Sequence, residues 1–539
     1  MSFAVWPRGA GAAVGADQPE PDRVERSPVS AGAVVVGISG VRRNAAAAVC
    51  VDGEIRAACE QERVTRVRRA GLAAGALPAE ALEVVLAVAG GLDPKDVSCY
   101  VTAEQDASLP IDLPTTGVEH HRAHASTAFY LSPHDEAAVL VCDAGRSEHL
   151  SVWTGTARGV TRHDWPGSPD GLTVLYAEAA ERFGFSPGHE HELEALARFD
   201  GEQQASRFAD VISYRDGRLD IASGWKTRLE QWLAERQAND LRHRARVAGA
   251  FQRHLGTLVV QLAQDIRRAT GQKRLCLGGG LFYNTYFTTV VQQSAAFEEV
   301  FVPPNPGNAG VSIGAALSSG DHRSSLRPVV SPFLGPSYSA ESIKRTLDNC
   351  KLSYEVLDEG AIVAVTIDAL LRGQLVGWFQ GRMEWGHRAL GHRSILASPL
   401  SPYVLENLNL FLKHRPRHIA YGVSVPEEHV RTFFTGPPVS RFMEFEHHPA
   451  DPDRLRAILP DGTRAIRVQT IPPAPADDAS QRYRRLHEAF GAATGVPVLV
   501  NTSFNGFSEP MVCSPRDAVR VFFGSGLDLL VMDRFVIRK

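Results

Sequence analysis

The stretch Val34-Val35-Val36-Gly37-Ile38-Ser39-Gly40 has a counterpart further along the chain, Ala137-Ala138-Val139-Leu140-Val141-Cys142-Asp143-Ala144-Gly145. Each is an apolar run that ends in small residues, a pattern that predicts a buried strand leading into a tight turn. A hairpin is predicted after each strand, with an Asp-Gly turn at 52–53 in the first case and a second apolar run at 150–153 in the other. The same order of strand, turn and hairpin therefore occurs twice.

This duplication is typical of the actin-like, sugar-kinase-like ATPase fold, abbreviated ASKHA, in which two related halves close over a nucleotide. A strand that runs into Gly278-Gly279-Gly280 extends the pattern, and a helix is predicted to start at Asn284. Glycines in such a turn let the backbone approach a ligand closely. We therefore predict a disordered extension over 1–33 and a duplicated ASKHA domain over 34–325.

The remaining residues, 326–539, also alternate strands and helices, which predicts a second α/β domain. Helices are expected over 361–371 and 480–494 and strands over 375–379, 465–471 and 496–500, whereas 433–460 lacks periodicity and predicts a loop-like excursion.

The charge and cysteine content argue against a nucleic-acid-binding protein and against a disulfide-rich protein. The 539 residues include 57 Lys+Arg and 61 Asp+Glu, and a net charge of −4 gives no basic footprint for nucleic acid. The seven cysteines form no CxxC pair and are expected to be reduced thiols. No signal-like or membrane-spanning apolar run is present, so a cytoplasmic protein is predicted.

The segment Glu119-His120-His121-Arg122-Ala123-His124 predicts a metal site. His120 and His124 share one face of a helix, about one turn apart, which suits two ligands of one divalent metal. A solvated histidine cluster has the same pattern. Asp143, at the end of a predicted buried strand, favours the metal, because a buried carboxylate needs a cation or a partner.

A second motif, Gly377 to Ser394, concentrates glycines and the arginines Arg382, Arg388 and Arg393. Arginine presents a fixed fork of donors to phosphate or carboxylate, and glycine frees backbone N–H groups. The alternative is a solvated basic loop, but apolar residues around the motif favour a buried pocket. The residues that complete such a pocket are predicted to be Lys413, Arg415, Arg467, Asn501 and Asn505, and its ligand an adenylate-like anion.

The chain resembles the O-carbamoyltransferase family, which includes enzymes of nodulation-factor and tobramycin biosynthesis. The matching stretches are Gly37-Ile38-Ser39-Gly40, Glu60 to Arg66, His120 to Ala125, Gly279 to Asn284, Gly377 to Ser394, Arg467 to Thr470, Val496 to Asn505 and Glu509 to Cys513. The resemblance implies an ASKHA domain fused to a YrdC-like domain. It also implies that the second domain makes carbamoyladenylate from carbamoyl phosphate and ATP, and that the first carbamoylates a hydroxyl of a small-molecule natural product.

The resemblance also implies roles for individual residues. A divalent metal, iron in the family, would be held by His120, His124, Asp143 and Asn308. ATP with Mg²⁺, carbamoyl phosphate or their adenylate would be bound by Arg382, Arg388, Arg393, Lys413, Arg415, Arg467, Asn501 and Asn505. Asn44, Gly279 and Gly280 would face the nucleotide or adenylate in the first domain, with His120, His124 and Asn44 at the reacting centre.

Several of these positions depart from the family. Arg43-Asn44 replaces a His-Asp pair, and asparagine cannot take a proton at neutral pH. Asn308 replaces an aspartate, which removes one negative charge from the metal site. In the second domain His387 replaces a proline, Pro416 an acid, and Ile419-Ala420 an Arg-Pro pair. Two alternatives therefore stay open: a relative that forms an amide or urea from an adenylate, and a degenerate protein that binds a ligand or partner without turnover.

Overall fold

The computed structural model describes residues 33–40, 43–72, 76–103, 114–144, 148–166, 171–199, 205–237, 240–318, 331–460 and 463–539. Residues 1–32 of the predicted extension lie outside this part of the chain. The predicted domain boundary at 325–326 does so as well, because it falls within 319–330.

The N-terminal half contains two five-stranded sheets and a small hairpin. Its strands are β1 Val34–Ser39, β2 Ala46–Val51, β3 Glu54–Glu60, β4 Cys99–Thr102, β5 Thr115–Gly117, β6 Ala137–Cys142, β7 Leu150–Thr156, β8 Gly159–Arg162, β9 Ile212–Arg215, β10 Arg218–Ile221, β11 Arg274–Gly278 and β12 Glu299–Phe301. Its helices are α1 Gln61–Thr65, α2 Ala79–Val88, α3 His120–Tyr130, α4 Leu172–Arg182, α5 Glu190–Ala197, α6 Trp225–Leu233, α7 Leu241–Thr270, α8 Thr285–Gln293 and α9 Val311–Ser318.

The two larger sheets share one topology. Their strand orders are β3-β2-β1-β4-β5 and β8-β7-β6-β11-β12. In each, three antiparallel strands are continued by two parallel ones, and the central strands β1 and β6 are the two runs that predicted the duplication. The predicted hairpin turn at Asp52-Gly53 joins β2 to β3, with φ of 53° and 83°. The duplicated ASKHA-type α/β fold predicted from the sequence is confirmed.

Helices α3 and α9 occupy equivalent positions after the last strand of each sheet, and they pack on one another. The contact depends on glycine: a Cβ on Gly314 would lie 1.9 Å from the carbonyl oxygen of Ala123. A Cβ on Gly37 of β1 would likewise lie 1.9 Å from the oxygen of Ser312. This close packing brings the start of α3 next to the turn that precedes α9.

The C-terminal half is built on one ten-stranded mixed sheet of order β13-β22-β21-β14-β15-β20-β16-β19-β18-β17. Its strands are β13 Glu355–Val356, β14 Val376–Phe379, β15 Arg393–Ala397, β16 Val423–Pro426, β17 Phe434–Thr435, β18 Glu446–Pro449, β19 Ile466–Ile471, β20 Leu499–Ser503, β21 Leu529–Met532 and β22 Phe535–Arg538. Its helices are α10 Ala340–Asn349, α11 Glu359–Leu371, α12 Val404–Glu406, α13 Val430–Phe433, α14 Asp478–Thr494 and α15 Pro515–Phe523.

Most predicted elements of this half are present, with two corrections. The strand expected over 496–500 is β20, which starts at Leu499 and runs through Asn501 to Ser503 because it pairs with both β15 and β16. The stretch 433–460 is not wholly a loop, since β17 and β18 pair with each other and β18 extends the main sheet through β19. Among the described residues, no helix is both long and apolar enough to cross a membrane.

The motif at 377–394 forms a long loop between the paired strands β14 and β15, and a buried carboxylate organises it. Glu384 is 1% exposed, and its Oε1 accepts hydrogen bonds from the backbone N–H groups of Leu390, His392 and Arg393 at 2.9, 2.8 and 3.0 Å. Gly381, Gly386 and Gly391 have φ of 51°, 110° and 106°, a region that side chains rarely adopt. The loop conformation is therefore fixed by one anion and three glycines.

Glu384→Ala is expected to lower the free energy of unfolding by about 2–5 kcal/mol, because it leaves three buried N–H groups without an acceptor. Glu384→Gln keeps an acceptor oxygen and should cost less. Urea unfolding followed by circular dichroism measures both, with Glu341→Ala, an exposed glutamate on α10, as the control. Equal stability of Glu384→Ala and Glu341→Ala would contradict this role.

Candidate functional site

Helix α3 begins with the predicted metal-ligand pair. Glu119 caps the helix, since its carboxylate accepts hydrogen bonds from the backbone N–H groups of His121 and Arg122 at 2.7 and 2.8 Å. The next turn sets the rings of His120 and His124 side by side, with centroids 4.8 Å apart and planes nearly perpendicular. His121 turns away, and its Nδ1 lies 2.8 Å from Ser151 Oγ.

Asp143, immediately after β6, faces both histidines. Its Oδ2 lies 3.3 Å from His120 Nε2 and 3.7 Å from His124 Nε2, and its Oδ1 accepts a hydrogen bond from the backbone N–H of Gly280 at 2.9 Å. Burial opposes ionisation of this carboxyl, but His124 and His120 outweigh it and hold its pKa well below the usual range. Three of the four predicted ligands, His120, His124 and Asp143, therefore meet at one point, with donor atoms within 4.8 Å of one another.

The arrangement fits a divalent metal. His124 Nδ1 can only donate to the carbonyl of Pro306, 3.1 Å away, so the neutral form of this ring has its lone pair on Nε2, the atom that faces Asp143 and that would bind a metal. His124 Nε2 and the side-chain oxygen of Asn308 are both buried and have no hydrogen-bond partner among the described residues. An unsatisfied buried acceptor beside a buried carboxylate, as His124 Nε2 is beside Asp143, is expected where a cation is coordinated. Asn308 lies two residues after Pro306, the residue that His124 contacts.

The glycine turn after β11 supports this centre. Gly279 has a φ of 101°, and a Cβ there would lie 2.1 Å from the backbone oxygen of Cys142, so the chain passes directly against β6. Gly280 holds Asp143, as described above. The structure thus places Gly279 against Cys142 and Gly280 against Asp143, and the predicted contact of both glycines with a nucleotide stays a prediction. Asn44 adopts a left-handed conformation (φ 58°) before β2, and no hydrogen bond joins its side chain to the cluster in the described chain.

The predicted anion-binding residues fall into two groups. Arg393 is fully buried and donates to the carbonyl oxygens of Gln380, His392, Pro336 and Gly381, and its guanidinium lies 3.7 Å over the ring of Phe379. Arg382 donates to the carbonyl oxygens of Arg56, Leu334 and Gly335. Both arginines hold the polypeptide together, so their geometry does not support the predicted contact with a ligand.

The amides Asn501 and Asn505 also serve the protein itself. Asn501 donates to the carbonyl of Ala389 at 3.1 Å and to Gln469 Oε1 at 2.9 Å, although its own side-chain oxygen has no partner within the described chain. Asn505 accepts from Lys413 Nζ at 2.5 Å and donates to the carbonyl of Glu509 at 2.6 Å. Asn505 therefore fixes Lys413 in place.

The second group consists of basic side chains that lack a full complement of anions. Lys413 Nζ contacts only neutral oxygens of Ser503 and Asn505, and burial followed by the charge of Arg415 holds its pKa well below the usual value. The pKa of Arg388 is also held well below its usual value, by burial and then by Arg467. Because a guanidinium stays protonated in proteins, this shift marks a positive charge that needs an anion.

Two histidines lie among these basic side chains, in the region between α5 and the motif loop that is called the cleft below. His191 of α5 and His387 of the motif are accessible to solvent, although protein packs around each of them. Burial and the guanidinium groups of Arg388 and Arg467 hold the pKa of His387 well below its usual value. Burial and Arg415 lower the pKa of His191 to about 3. The cleft is therefore lined by neutral imidazoles among cations.

Sequence reasoning missed the ion network that closes this cleft. Glu194 of α5 pairs with Arg467 of β19 at 2.6 Å and with Arg198, which in turn pairs with Glu446 of β18 at 2.6 Å. Thr285 at the start of α8 donates its N–H to Glu194 at 2.9 Å. Although burial raises it, Arg198 and Arg467 lower the pKa of Glu194 to about 2. Carboxylates within an amphipathic helix carry no pattern that reveals a distant partner.

A second missed contact ties the motif loop to the N-terminal half. Glu60 Oε1 accepts from the backbone N–H of Gly386 and from Asn305 Nδ2, both at 3.2 Å, while Arg63 donates to the carbonyl of Gly386 at 2.8 Å. Tyr283 stacks edge-on against His387 with centroids 4.3 Å apart. The matched stretch Glu60 to Arg66 therefore serves to dock the two halves.

Comparison with known proteins places this geometry in a family. A family model described as "Carbamoyltransferase N-terminus" matches residues 110–317, and one described as "Carbamoyltransferase C-terminus" matches 367–539. An uncharacterized protein of Synechocystis sp. is 31% identical over 475 residues, covering 78% of this chain and 76% of that protein. Nodulation protein NolNO of Sinorhizobium fredii is 28% identical over 92% of this chain and 78% of its own length. Nodulation protein NolO of Bradyrhizobium diazoefficiens is 29% identical, with coverages of 78% and 79%.

The chain therefore belongs to the carbamoyltransferase family and is an enzyme of that family. Among solved structures, the activator of 2-hydroxyisocaproyl-CoA dehydratase from Clostridium difficile with bound ADPNP covers 54% of this chain and 95% of its own, at 14% identity and a TM-score of 0.37. The fold assignment rests on the strand orders given above rather than on that match.

Glu194→Gln is expected to lower the free energy of unfolding by about 3–5 kcal/mol, because it leaves two buried guanidinium groups without their shared anion. Urea unfolding measures this loss against Glu181→Gln, an exposed glutamate on α4. The double variant Glu194→Gln/Arg467→Gln should lose less than the sum of the single losses. Strict additivity would show that the two residues do not interact.

Proposed function

We propose that the enzyme forms carbamoyladenylate in its C-terminal half and transfers the carbamoyl group to a hydroxyl of a small-molecule natural product in its N-terminal half. The observation that carries the proposal is the excess of cations in the cleft between the halves. Among the described residues, no carboxylate forms a salt bridge with Arg388, Arg415 or Lys413, and Arg467 shares Glu194 with Arg198. A buried excess of positive charge is stabilised by an anionic ligand.

The overall reaction in the C-terminal half balances as follows. Carbamoyl phosphate, ATP and water give carbamoyladenylate, pyrophosphate and inorganic phosphate. Every reactant and product that carries phosphate is anionic, so fixed guanidinium and ammonium groups stabilise both the bound substrates and the charge that develops on pyrophosphate as it leaves. Arg415, which no carboxylate of the described chain pairs with in a salt bridge, is suited to this task.

The N-terminal half offers the metal centre for transfer. His120, His124, Asp143 and Asn308 would hold a divalent ion, which on binding supplies polarisation of the carbamoyl carbonyl. The chain's own residues orient the ligands: Pro306 fixes the tautomer of His124, and the backbone N–H of Gly280 fixes the carboxylate of Asp143. Asn44 can form hydrogen bonds but cannot act as a base, so the proton of the acceptor hydroxyl leaves with the departing AMP, whose phosphate can accept it. The identity of the ion as iron, and of the nucleotide as ATP with Mg²⁺, is also part of the proposal and rests on the family resemblance.

The direct test is pyrophosphate release by the purified protein. Release that requires both ATP and carbamoyl phosphate supports the proposal. Release that instead requires another carboxylate would identify the amide- or urea-forming alternative. No release with any acid tested, combined with retained ATP binding, would identify a ligand-binding protein without turnover.

Arg415→Gln should lower kcat/KM for carbamoyl phosphate about 10- to 160-fold, the equivalent of losing one charge-assisted contact of about 1.5–3 kcal/mol. Steady-state pyrophosphate assays measure the effect. The matched control is Arg417→Gln, since Arg417 is exposed and pairs with Glu406 at 3.3 Å. Equal kinetics of the two variants would remove Arg415 from the substrate site.

His124→Ala should abolish carbamoyl transfer and remove one equivalent of divalent metal, because it deletes a buried donor, 1% exposed, from the ligand set. Metal content after dialysis and transfer to an acceptor are the two readouts. His121→Asn, on the same helix but turned toward Ser151, should keep both. Unchanged metal content in His124→Ala would refute the assigned ligand set.

A further inference from the structure

Helix α5 begins with a second cluster of metal-ligand side chains, distinct from the centre at α3. His189, His191 and Glu192 each offer one donor atom, and these three atoms lie within 4.8 Å of one another. The described residues contain two such groups, this one and the cluster of His120, His124 and Asp143. The carbamoyltransfer chemistry proposed above uses none of the three residues.

The local backbone brings the three side chains together. His189 is the N-cap residue of α5, and its side chain makes no capping bond to the backbone. Instead, its Nδ1 lies 2.7 Å from Glu192 Oε1, one turn further on, while the backbone N–H of Glu192 donates to the carbonyl of His189 at 2.9 Å. The ring of His191 lies 5.4 Å from that of His189, centroid to centroid.

Hydrogen bonds and burial fix the backbone on both sides of the cluster. Before it, Arg69 donates to the carbonyl oxygens of Pro187 and Gly188, and Gly188 has a φ of 78° with no room for a Cβ beside that guanidinium. After it, Leu193 is fully buried and Glu194 is held by the ion network. Donor atoms on a fixed backbone need little reorganisation to bind an ion.

We propose that His189, His191 and Glu192 form a second divalent-cation site, selective for a transition metal of the Zn²⁺ class. Two imidazoles and one carboxylate match Zn²⁺, Co²⁺ and Fe²⁺, whereas Mg²⁺ and Ca²⁺ require mainly oxygen ligands. Binding exchanges the His189–Glu192 hydrogen bond for two metal bonds, with the His189 proton moving from Nδ1 to Nε2.

The position of the site indicates what completes the coordination. Three protein ligands leave at least one position of the ion open. His191 lines the cleft near Arg415 and His387, so an open position on that side faces the cations of the cleft. An anionic oxygen donor, such as a phosphate or carboxylate group, is the ligand that such a position accepts.

Zn²⁺ titration by calorimetry tests the site without any substrate, and its outcome is independent of the proposed function. In a His120→Ala/His124→Ala background, which removes the first cluster, the full chain should still bind one Zn²⁺. Adding His191→Ala or Glu192→Gln should weaken that binding roughly tenfold or more. His448→Ala, a change at an exposed histidine elsewhere, should leave it unchanged.

A second measurement covers the case in which the background variant does not fold. In the unaltered chain, two equivalents of Zn²⁺ should bind, falling to one with His191→Ala/Glu192→Gln, two side chains outside the core. Co²⁺ in place of Zn²⁺ should give a visible absorption that the same double variant reduces. One equivalent in both the unaltered chain and the double variant would overturn the proposal.

Discussion

The pairing of Glu194 with Arg467 is the contact on which the cleft depends. It joins a helix of the N-terminal half to a strand of the C-terminal sheet at 2.6 Å, and both side chains are largely removed from solvent. Burying these charges is costly unless each finds its partner, so only one relative placement of the halves satisfies them. Arg198 and Glu446 extend the pair, and Glu60 with Arg63 repeats the arrangement at the motif loop. Arg388 and Arg415 have no salt bridge to a carboxylate in the described part of the chain, so their charges are left for an anionic ligand.

The duplicated fold explains why the metal-ligand candidates meet. Equivalent helices α3 and α9 pack through Gly314, which brings His120 and His124 next to the turn that carries Pro306 and Asn308. Asp143 directly follows β6, which is the counterpart of β1 in the second sheet. One ligand set is thus assembled from three separate segments by the symmetry of the two sheets.

Local sequence patterns predicted the features that depend on residues close together in the chain or on the burial of a single strand or helix. The duplicated strands, the helix bearing His120 and His124, and the convergence of Asp143 on them followed from burial patterns and from helical spacing. The assignment of Arg382 and Arg393 to a ligand went further than the structure supports, because nothing in the sequence tells whether a guanidinium will meet a phosphate or a backbone carbonyl. Glu194 and Glu384 were missed for a related reason: their partners lie far away along the chain or are backbone N–H groups of a loop.

The central claim is that one half activates the carbamoyl group and the other transfers it. Rapid-quench mass spectrometry of the His124→Ala protein with ATP and carbamoyl phosphate tests this claim most directly. Activation without transfer predicts that carbamoyladenylate accumulates in this variant and that added acceptor does not consume it. If His124→Ala forms no carbamoyladenylate while the unaltered protein does, the two steps are not separated between the halves and the claim is wrong.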